Sequence, residues 1–355
     1  MKLVDRYIIK TVLQSTALTL FVLVALTLLF RFISELGDMD DQYNLLEIMV
    51  FLLMSAPGFV YDFLPMSVLL GSMLGMGALA SNNELTVLHV TGMSYSRLVL
   101  SVSKAGLVLV FLVVVLGEVV VPQSRLAATN YQLQAKDREA GMQVSGGFWA
   151  RDGNTVIHVE RALSKNQLAG VTRYEFDVNE RLTQVQTIRH AVQNKDSWNL
   201  FDISTRMIRP ESVKLSTAKQ GTAESLVNPE LLKLLTIEPN HMSVFGLQGY
   251  LDYLDENGLY DYVFEYEYWV RLFNPLVILV MLLLGLPFVF SAQRDVGSGQ
   301  RIMIGIIIGI AFFLLNQVTG HLGRVYEIKP VLSALLPLLL FASASLYGLS
   351  RIGLR

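Results

Sequence analysis

Residues 71–97 read GSMLGMGALASNNELTVLHVTGMSYSR, and this stretch leaves an apolar segment, crosses a polar one and heads into another apolar segment. Gly71 and Gly75 form a G-x-x-x-G, and Gly77 and Ala78 add small residues, so a second backbone can approach this helix closely. The composition then changes. Ser81 stands three residues before Glu84, the spacing of a capping box. Leu85 and Leu88 share a helical face, and Gly92 follows as a C-terminal stop. The pattern predicts a polar helix of about three turns, Asn82 to Thr91, between two membrane spans. Two readings of it stand level on spacing alone: a docking element for a partner, or an interfacial loop helix whose Glu84 only caps its own N-terminus.

The chain around this stretch is too apolar for an ordinary soluble protein of 355 residues. Its mean hydropathy is +0.46, and 52% of its residues are hydrophobic. A net charge of -2 without a dense basic cluster gives no signal for nucleic acid. The absence of cysteine excludes a disulfide framework, a thiol nucleophile and cysteine metal sites, and it suits a domain placed in an oxidising compartment.

Upstream, Lys2, Arg6 and Lys10 precede residues 11–30, TVLQSTALTLFVLVALTLLF, which carry no charge. That run is long enough for a hydrocarbon core of about 30 Å, and with no small-residue cleavage site it reads as an uncleaved first span. The basic end belongs in the cytoplasm. The loop Glu35 to Glu47 carries Asp38, Asp40 and Asp41 but no Lys or Arg, as an outer loop should. Pro57, Asp62 and Pro65 interrupt the next apolar run and predict a broken segment, with the second span starting at about Phe63. The third span is expected over Leu98 to Val121, ended by Pro122.

From Arg125 to Tyr262 the chain is polar and mixed in charge. After a short helical lead, residues 155–160, 170–177, 181–190 and 198–203 alternate with period two, with turns at 178–180 and 194–196. This predicts an antiparallel β domain, a sandwich or jelly roll, with Phe148 and Trp149 anchoring its core. Ser243 to Asn257 reads as a helix. Tyr260, Tyr262, Phe264, Tyr266, Tyr268 and Trp269 then form an aromatic belt. Three more spans follow: Leu272 to Ala292, Ile302 to His321 and Val331 to Ser350. The expected fold class is an α-helical membrane protein with six transmembrane helices, three plus three, around an inserted antiparallel β, jellyroll-like domain. Its parts are residues 1–124, with the polar helix at 82–91, then 125–262 and 263–355.

Catalytic motifs are missing. The chain has no G-x-x-x-x-G-K-[ST], no H-E-x-x-H and no G-x-S-x-G, and its five histidines are scattered. No catalytic residue and no metal ligand is expected, and a lipid-processing active site has no clustered residues to build it.

Several segments together resemble the lipopolysaccharide export permeases of the LptF/LptG family. They are Leu3 to Ile8 (LVDRYI), Leu64 to Ala80 (LPMSVLLGSMLGMGALA), Asn83 to Val87 (NELTV), Gly117-Glu118 with Pro122-Gln123, and Gly147 to Gly153 (GFWARDG). The resemblance covers the whole chain. It implies the permease subunit of an ABC transporter that takes lipopolysaccharide from the inner membrane and passes it to a periplasmic β-jellyroll bridge. The implied partners are an LptF-type sister permease, an LptB-type ATPase dimer, an LptC-type membrane-anchored jellyroll protein and lipopolysaccharide itself, with no nucleic acid. ATP and magnesium would sit in the ATPase, with no cofactor in this chain. The implied location is the bacterial inner membrane, with both termini cytoplasmic and the β domain periplasmic.

The resemblance also implies sites. The helix at 82–91 would dock into the ATPase through Glu84, Leu85, Leu88 and His89. The first and fifth spans would line the lipid cavity, with Arg31 near the lipid phosphates and Arg324 on the same side. Leu28, Phe30, Ile307 and Phe312 are the expected acyl lining, together with Phe21 and Phe313. The family's basic pair just after Arg31 is absent, since Gly37 and Asp38 stand there. Arg31 could instead pair with Glu35 one turn on. Two other classes stay open: a substrate-efflux or lipoprotein-releasing permease, which would usually place its soluble domain and spans differently, and a passive scaffold that only carries the β domain. ATPase co-purification separates the scaffold from both transporters, and lipid identity separates the transporters.

Overall fold

A computed structural model of the chain describes residues 2–39, 43–136, 148–152, 154–164, 167–177, 181–194, 197–209, 212–223, 239–290 and 298–351. Helix α1 spans Lys2–Leu36 without a Gly or Pro inside it. Helix α2 spans Leu45–Ser81 and starts on Asn44, whose side chain accepts from the backbone N–H groups of Leu46 and Glu47. The expected break before Phe63 does not occur: Pro57 and Pro65 lie inside one continuous helix. A proline costs an exposed helix roughly 3 kcal/mol. Here α2 is the buried centre of the bundle, and packing on several sides holds it straight through both prolines.

The short helix α3 is Glu84–Val90, and α4 is Tyr95–Val115. A π-helical turn, Leu116–Val120, then leads into α5, Val121–Ala135. Pro122 therefore does not end the third span. It falls in the first turn of α5, where its missing N–H is not needed, because the π turn has reset the hydrogen-bond register.

Strands β1 (Phe148–Asp152), β2 (Thr155–Ser164), β3 (Gln167–Phe176), β4 (Leu182–Asn194), β5 (Ser197–Arg209) and β6 (Ser212–Ala223) form one antiparallel sheet in sequence order. The predicted strands all fall within it. The predicted turn at 178–180 lies outside the described residues, as does most of that at 194–196. The sheet buries one face, built on Val159, Leu168, Val171, Ile188 and Trp198. Gly170 on β3 has φ +66, and a β-carbon there would stand 2.3 Å from the Glu160 carboxylate, so only glycine fits. Trp149 is not a core anchor. It is 56% exposed and stacks on His158 and Tyr174 on the sheet's other face, because its register partner His158 faces away from Ile157 and Val159. The Phe148 side chain lies outside the described residues.

The chain returns through a 3₁₀ turn, Pro239–His241, and α6, Val244–Glu256, which Ser243 caps by accepting from the Gly246 N–H. Helices α7 (Tyr262–Phe290), α8 (Ser298–Val325) and α9 (Pro330–Arg351) complete the chain. Six helical segments are long and apolar enough to cross a membrane: α1, α2, α4 with α5, α7, α8 and α9. Three precede the β domain and three follow it. Helix α1 lies against α2 along the small-residue seam: a β-carbon on Gly71 would meet Thr16 Cα at 2.4 Å, and one on Gly75 would meet the Thr11 carbonyl at 3.2 Å.

Candidate functional site

Two sets of side chains stand out, at opposite ends of α1. At the first end, α2 runs through Ser81, so Ser81 cannot cap α3. Its hydroxyl donates back to the Ala78 carbonyl. The expected capping box is absent. The reversal is made instead by Asn83 in the left-handed region at φ +61, a conformation that asparagine tolerates better than most residues. Gly92, at φ +95, ends the helix as expected. The helix is two turns, Glu84–Val90, rather than the predicted 82–91.

The Glu84 carboxylate is free of capping duty. It accepts from the Tyr7 hydroxyl at 2.9 Å and from the Asn82 amide at 3.4 Å. Leu85 is 2% exposed and packs in the main core, with Leu88 half-buried beside it. It is therefore a packing residue rather than a surface for a partner. His89 stacks on Tyr95 with ring centroids 4.6 Å apart, and Tyr95 meets Phe290 edge-on. What α3 offers outward is Val87 and Val90, 59% and 81% exposed. Helical phase carries this signal: with residues 85 and 88 inward, 87 and 90 point out.

At the other end a groove of about 730 Å³ opens between α1, α2, α7 and α8. Thr27 and Arg31, one turn apart, are the α1 residues that line it, and Phe312 and Phe313 line it from α8. A second cavity of about 430 Å³ shares Phe313, Asn316 and Gln317 with it and reaches His321 and Arg324. Of the expected lipid residues, Arg31, Phe312 and Phe313 thus meet in one groove, with Arg324 in its extension. Leu28, Phe30, Ile307 and Phe21 do not line it. Leu28 packs beside Tyr43, Ile48 and Leu52, while Phe30, Ile307 and Phe21 project outward from the bundle. The phase that aims Thr27 and Arg31 inward turns their neighbours away.

The groove's charges are sorted. Arg125 pairs with Asp62 at 2.6 Å and donates to the Asn240 carbonyl at 2.6 Å. Arg271 is 4% exposed. It pairs with Glu267 at 3.3 Å, donates to the carbonyls of Gly117 and Asn240, and lies over the Tyr61 ring. Glu35 does not neutralise Arg31. It accepts from Lys136 at 3.1 Å, from Gln132 at 3.0 Å and from Tyr43 at 3.2 Å, because the last turn of α5 ends beside the top of α1. Burial pushes the Tyr43 phenol far above its usual range, and the Glu35 charge adds to this, so Tyr43 stays a donor. Among the described residues no carboxylate lies within ion-pairing distance of Arg31, whose guanidinium rests 5.9 Å over the Phe59 ring. Arg324 is likewise exposed and without an ion pair among the described residues.

Glu118 lies on the π turn. It accepts from the Val244 N–H at 3.1 Å and 3.2 Å and so holds the start of α6 onto the bundle. Neither Arg125 nor Arg271 was foreseen as part of this region. Each is a cation beside an apolar span, a signal visible in sequence. Among the described residues, no group of three or more His, Asp or Glu side chains could hold a metal ion.

Six spanning helices, a β domain inserted at their midpoint, an apolar groove under Arg31 and Arg324 and a short helix exposed between two spans define a multi-pass membrane transport subunit. Comparison with known proteins makes this specific. The model of the family "Lipopolysaccharide export system permease LptF/LptG" matches residues 6–351. The chain is 34% identical over 354 residues to the lipopolysaccharide export system permease protein LptG of Escherichia coli K12, covering 98% of each chain. It is 30% identical over 350 residues to that of Haemophilus influenzae Rd, again covering 98% of each. The chain belongs to the LptF/LptG family of lipopolysaccharide export permeases. It is accordingly a multi-pass inner-membrane permease rather than an enzyme, with ATP hydrolysis left to a partner.

Proposed function

We propose that this chain is one half of a transporter that draws lipopolysaccharide out of the inner membrane into the groove under Arg31. The other half is a sister permease of the LptF type, and an ATPase dimer of the LptB type docks on α3 and carries ATP and magnesium. The β domain lies in the periplasm, both termini are cytoplasmic, and the lipid passes along the inner face of the sheet to a membrane-anchored jellyroll protein of the LptC type. The observation that carries this reading is Arg31, without an ion pair among the described residues, above an apolar groove at the end of α1 opposite the docking helix.

The chemistry is that of a multi-acyl anion. Exposing one methylene to water costs about 0.8 kcal/mol, so a chain of about a dozen costs roughly 10 kcal/mol. Extraction therefore needs a continuous apolar surface, which Phe59 and Met66 of α2, Phe273 and Val277 of α7 and Ile310 and Phe313 of α8 supply. A guanidinium takes phosphate oxygens two at a time, and among the described residues Arg31 has no carboxylate to surrender first. Docking uses Glu84 with the exposed Val87 and Val90 and the rim residues Leu88 and His89, while Leu85 holds α3 in place from beneath.

Co-expression with the sister permease and the ATPase, followed by mild extraction, tests the assignment. Lipopolysaccharide and the ATPase are expected to co-purify, and Glu84→Ala is expected to lose the ATPase while the chain stays in the membrane. Recovery of the chain without lipid or ATPase would refute it.

A further inference from the structure

The hydrogen bond between Tyr7 and Glu84 joins residues 77 apart in the chain, and it is the polar contact that joins α1 to α3 among the described residues. Two residues earlier in that turn, Asp5 accepts from Lys104 at 2.6 Å and from Ser101 at 2.7 Å, both on α4. The base of α1 is therefore held from two sides by the unit that α3 and α4 form. Above it, α1 has no Pro or Gly to bend at, from Lys2 to Leu36. Tyr7 and Arg31 are separated by about 36 Å of that rod, at 1.5 Å per residue. The surface along which α1 meets α2 is a seam of Gly71 and Gly75 against Thr11, Ser15 and Thr16. At this seam no large side chain stands between the two backbones, while nearer the base of α1 Ile8 and Val12 pack in the core with Val68 and Met76 of α2. At the far end, Thr27 and Arg31 form the α1 wall of the lipid groove.

We infer that Tyr7 is the transmission residue that turns movement of the docking helix into movement of the groove wall. Displacement of α3 pulls Glu84, Glu84 pulls the Tyr7 hydroxyl, and the stiff helix α1 carries the shift to Arg31. This rests on the reading of α3 as the docking helix. Tyr7 touches neither the groove nor the exposed Val87 and Val90 ridge, and it meets the docking end only through Glu84, so the test separates an effect on coupling from one on docking. The half-exposed phenol is suited to this, because a single charge-assisted hydrogen bond can form and break within a cycle without dismantling a packed core.

The test uses the complete complex of this chain with its sister permease and ATPase in proteoliposomes, reading ATPase recovery, ATP hydrolysis and lipopolysaccharide released per ATP. Tyr7→Phe keeps the ring and removes only the hydroxyl. It is expected to leave ATPase recovery and hydrolysis at wild-type levels and to lower lipopolysaccharide released per ATP several-fold. Glu84→Gln keeps an oxygen for Tyr7 to bond and removes the charge. It is expected to lower ATPase recovery, while the complexes that do form keep the wild-type ratio. An unchanged ratio in Tyr7→Phe would overturn the inference. So would loss of the ATPase from Tyr7→Phe, since the tyrosine would then only orient Glu84 for docking. Full ATPase recovery in Glu84→Gln together with a lowered ratio in Tyr7→Phe would keep the inference and overturn the docking role of Glu84.

Discussion

Replacing Gly71 with alanine and replacing Gly249 with alanine are the same chemical change in two helices, and the structure predicts opposite signs. A glycine inside a helix is worth roughly 0.5–1 kcal/mol less than alanine, so both substitutions start with that gain. At Gly249, within α6, nothing lies within 4 Å of the new β-carbon, and the gain is realised in full. At Gly71 the β-carbon would stand 2.4 Å from Thr16 Cα and 2.6 Å from its backbone nitrogen. Ordinary contact needs about 3.5–4 Å, so α1 must back away by at least roughly 1 Å. The atoms met are backbone, with no flexible end to swing aside, and overpacking of that kind costs about 1–3 kcal/mol. The clash outweighs the propensity gain, leaving Gly71→Ala destabilised by up to about 2 kcal/mol. The assay is thermal denaturation of the detergent-purified chain by two probes: helical circular dichroism, and pelleting of aggregated protein. Gly249→Ala should raise the transition slightly, and Gly71→Ala should lower it by a few degrees. Equal shifts in the two variants, or a stabilised Gly71→Ala, would refute the close approach of α1 to α2 and with it the seam on which the movement of α1 depends.

The same geometry offers a lock. The chain has no cysteine, and a β-carbon on Gly75 would lie 3.3 Å from that of Ser15, close to the usual disulfide spacing of about 3.5–4.5 Å. Oxidised Ser15→Cys with Gly75→Cys should therefore crosslink and halt lipopolysaccharide release until reductant is added; transport at full rate in the crosslinked protein would show that α1 does not shift on α2. Leu85→Ala should cost about 2–5 kcal/mol of stability, as a buried leucine, whereas Val90→Asp should leave the melting transition in place and lower ATPase recovery. Arg31→Ala should reduce the lipopolysaccharide that co-purifies, and Arg31→Lys should restore only part of it, because lysine keeps the charge but not the paired donors; equal lipid in all three forms would remove Arg31 from the site.

Much of the architecture is legible in the sequence because the membrane imposes it. Uncharged runs of about twenty residues can hardly be anything but spans, and the switch to period-two alternation after Arg125 marks the β domain. Local signals also read true where their partners are local: Ser243 caps α6, and Gly92 ends α3. The errors come where distant packing decides. Pro57 and Pro65 fail to break α2 because the helix is enclosed by others. Pro122 fails to stop the third span because a π turn prepares its place. Ser81 and Glu84 match a capping box in spacing, but α2 keeps Ser81 and Tyr7 takes Glu84.

The site was legible in kind and only partly in detail. Arg31 is marked by its misplaced charge at a span end, and its isolation depends on Lys136 capturing Glu35 from a helix about a hundred residues away. Aromatic and aliphatic residues on α1 look alike in sequence. Only the rotational setting of α1 against α2 separates Thr27 and Arg31, in the groove, from Leu28 and Phe30, outside it. The outward ridge of Val87 and Val90 was hidden by the assumption that the leucines of α3 are its contact residues.

The central claim is that lipopolysaccharide occupies the groove beneath Arg31. The most direct measurement places a photocrosslinking amino acid at Thr27, inside the groove, and in a matched sample at Phe111, which projects from α4 away from it. Irradiation of cells expressing the full complex should crosslink lipopolysaccharide from position 27, with the yield changing when the ATPase is inactivated, and not from position 111. No lipopolysaccharide adduct at position 27, or equal adducts at both, would contradict the account.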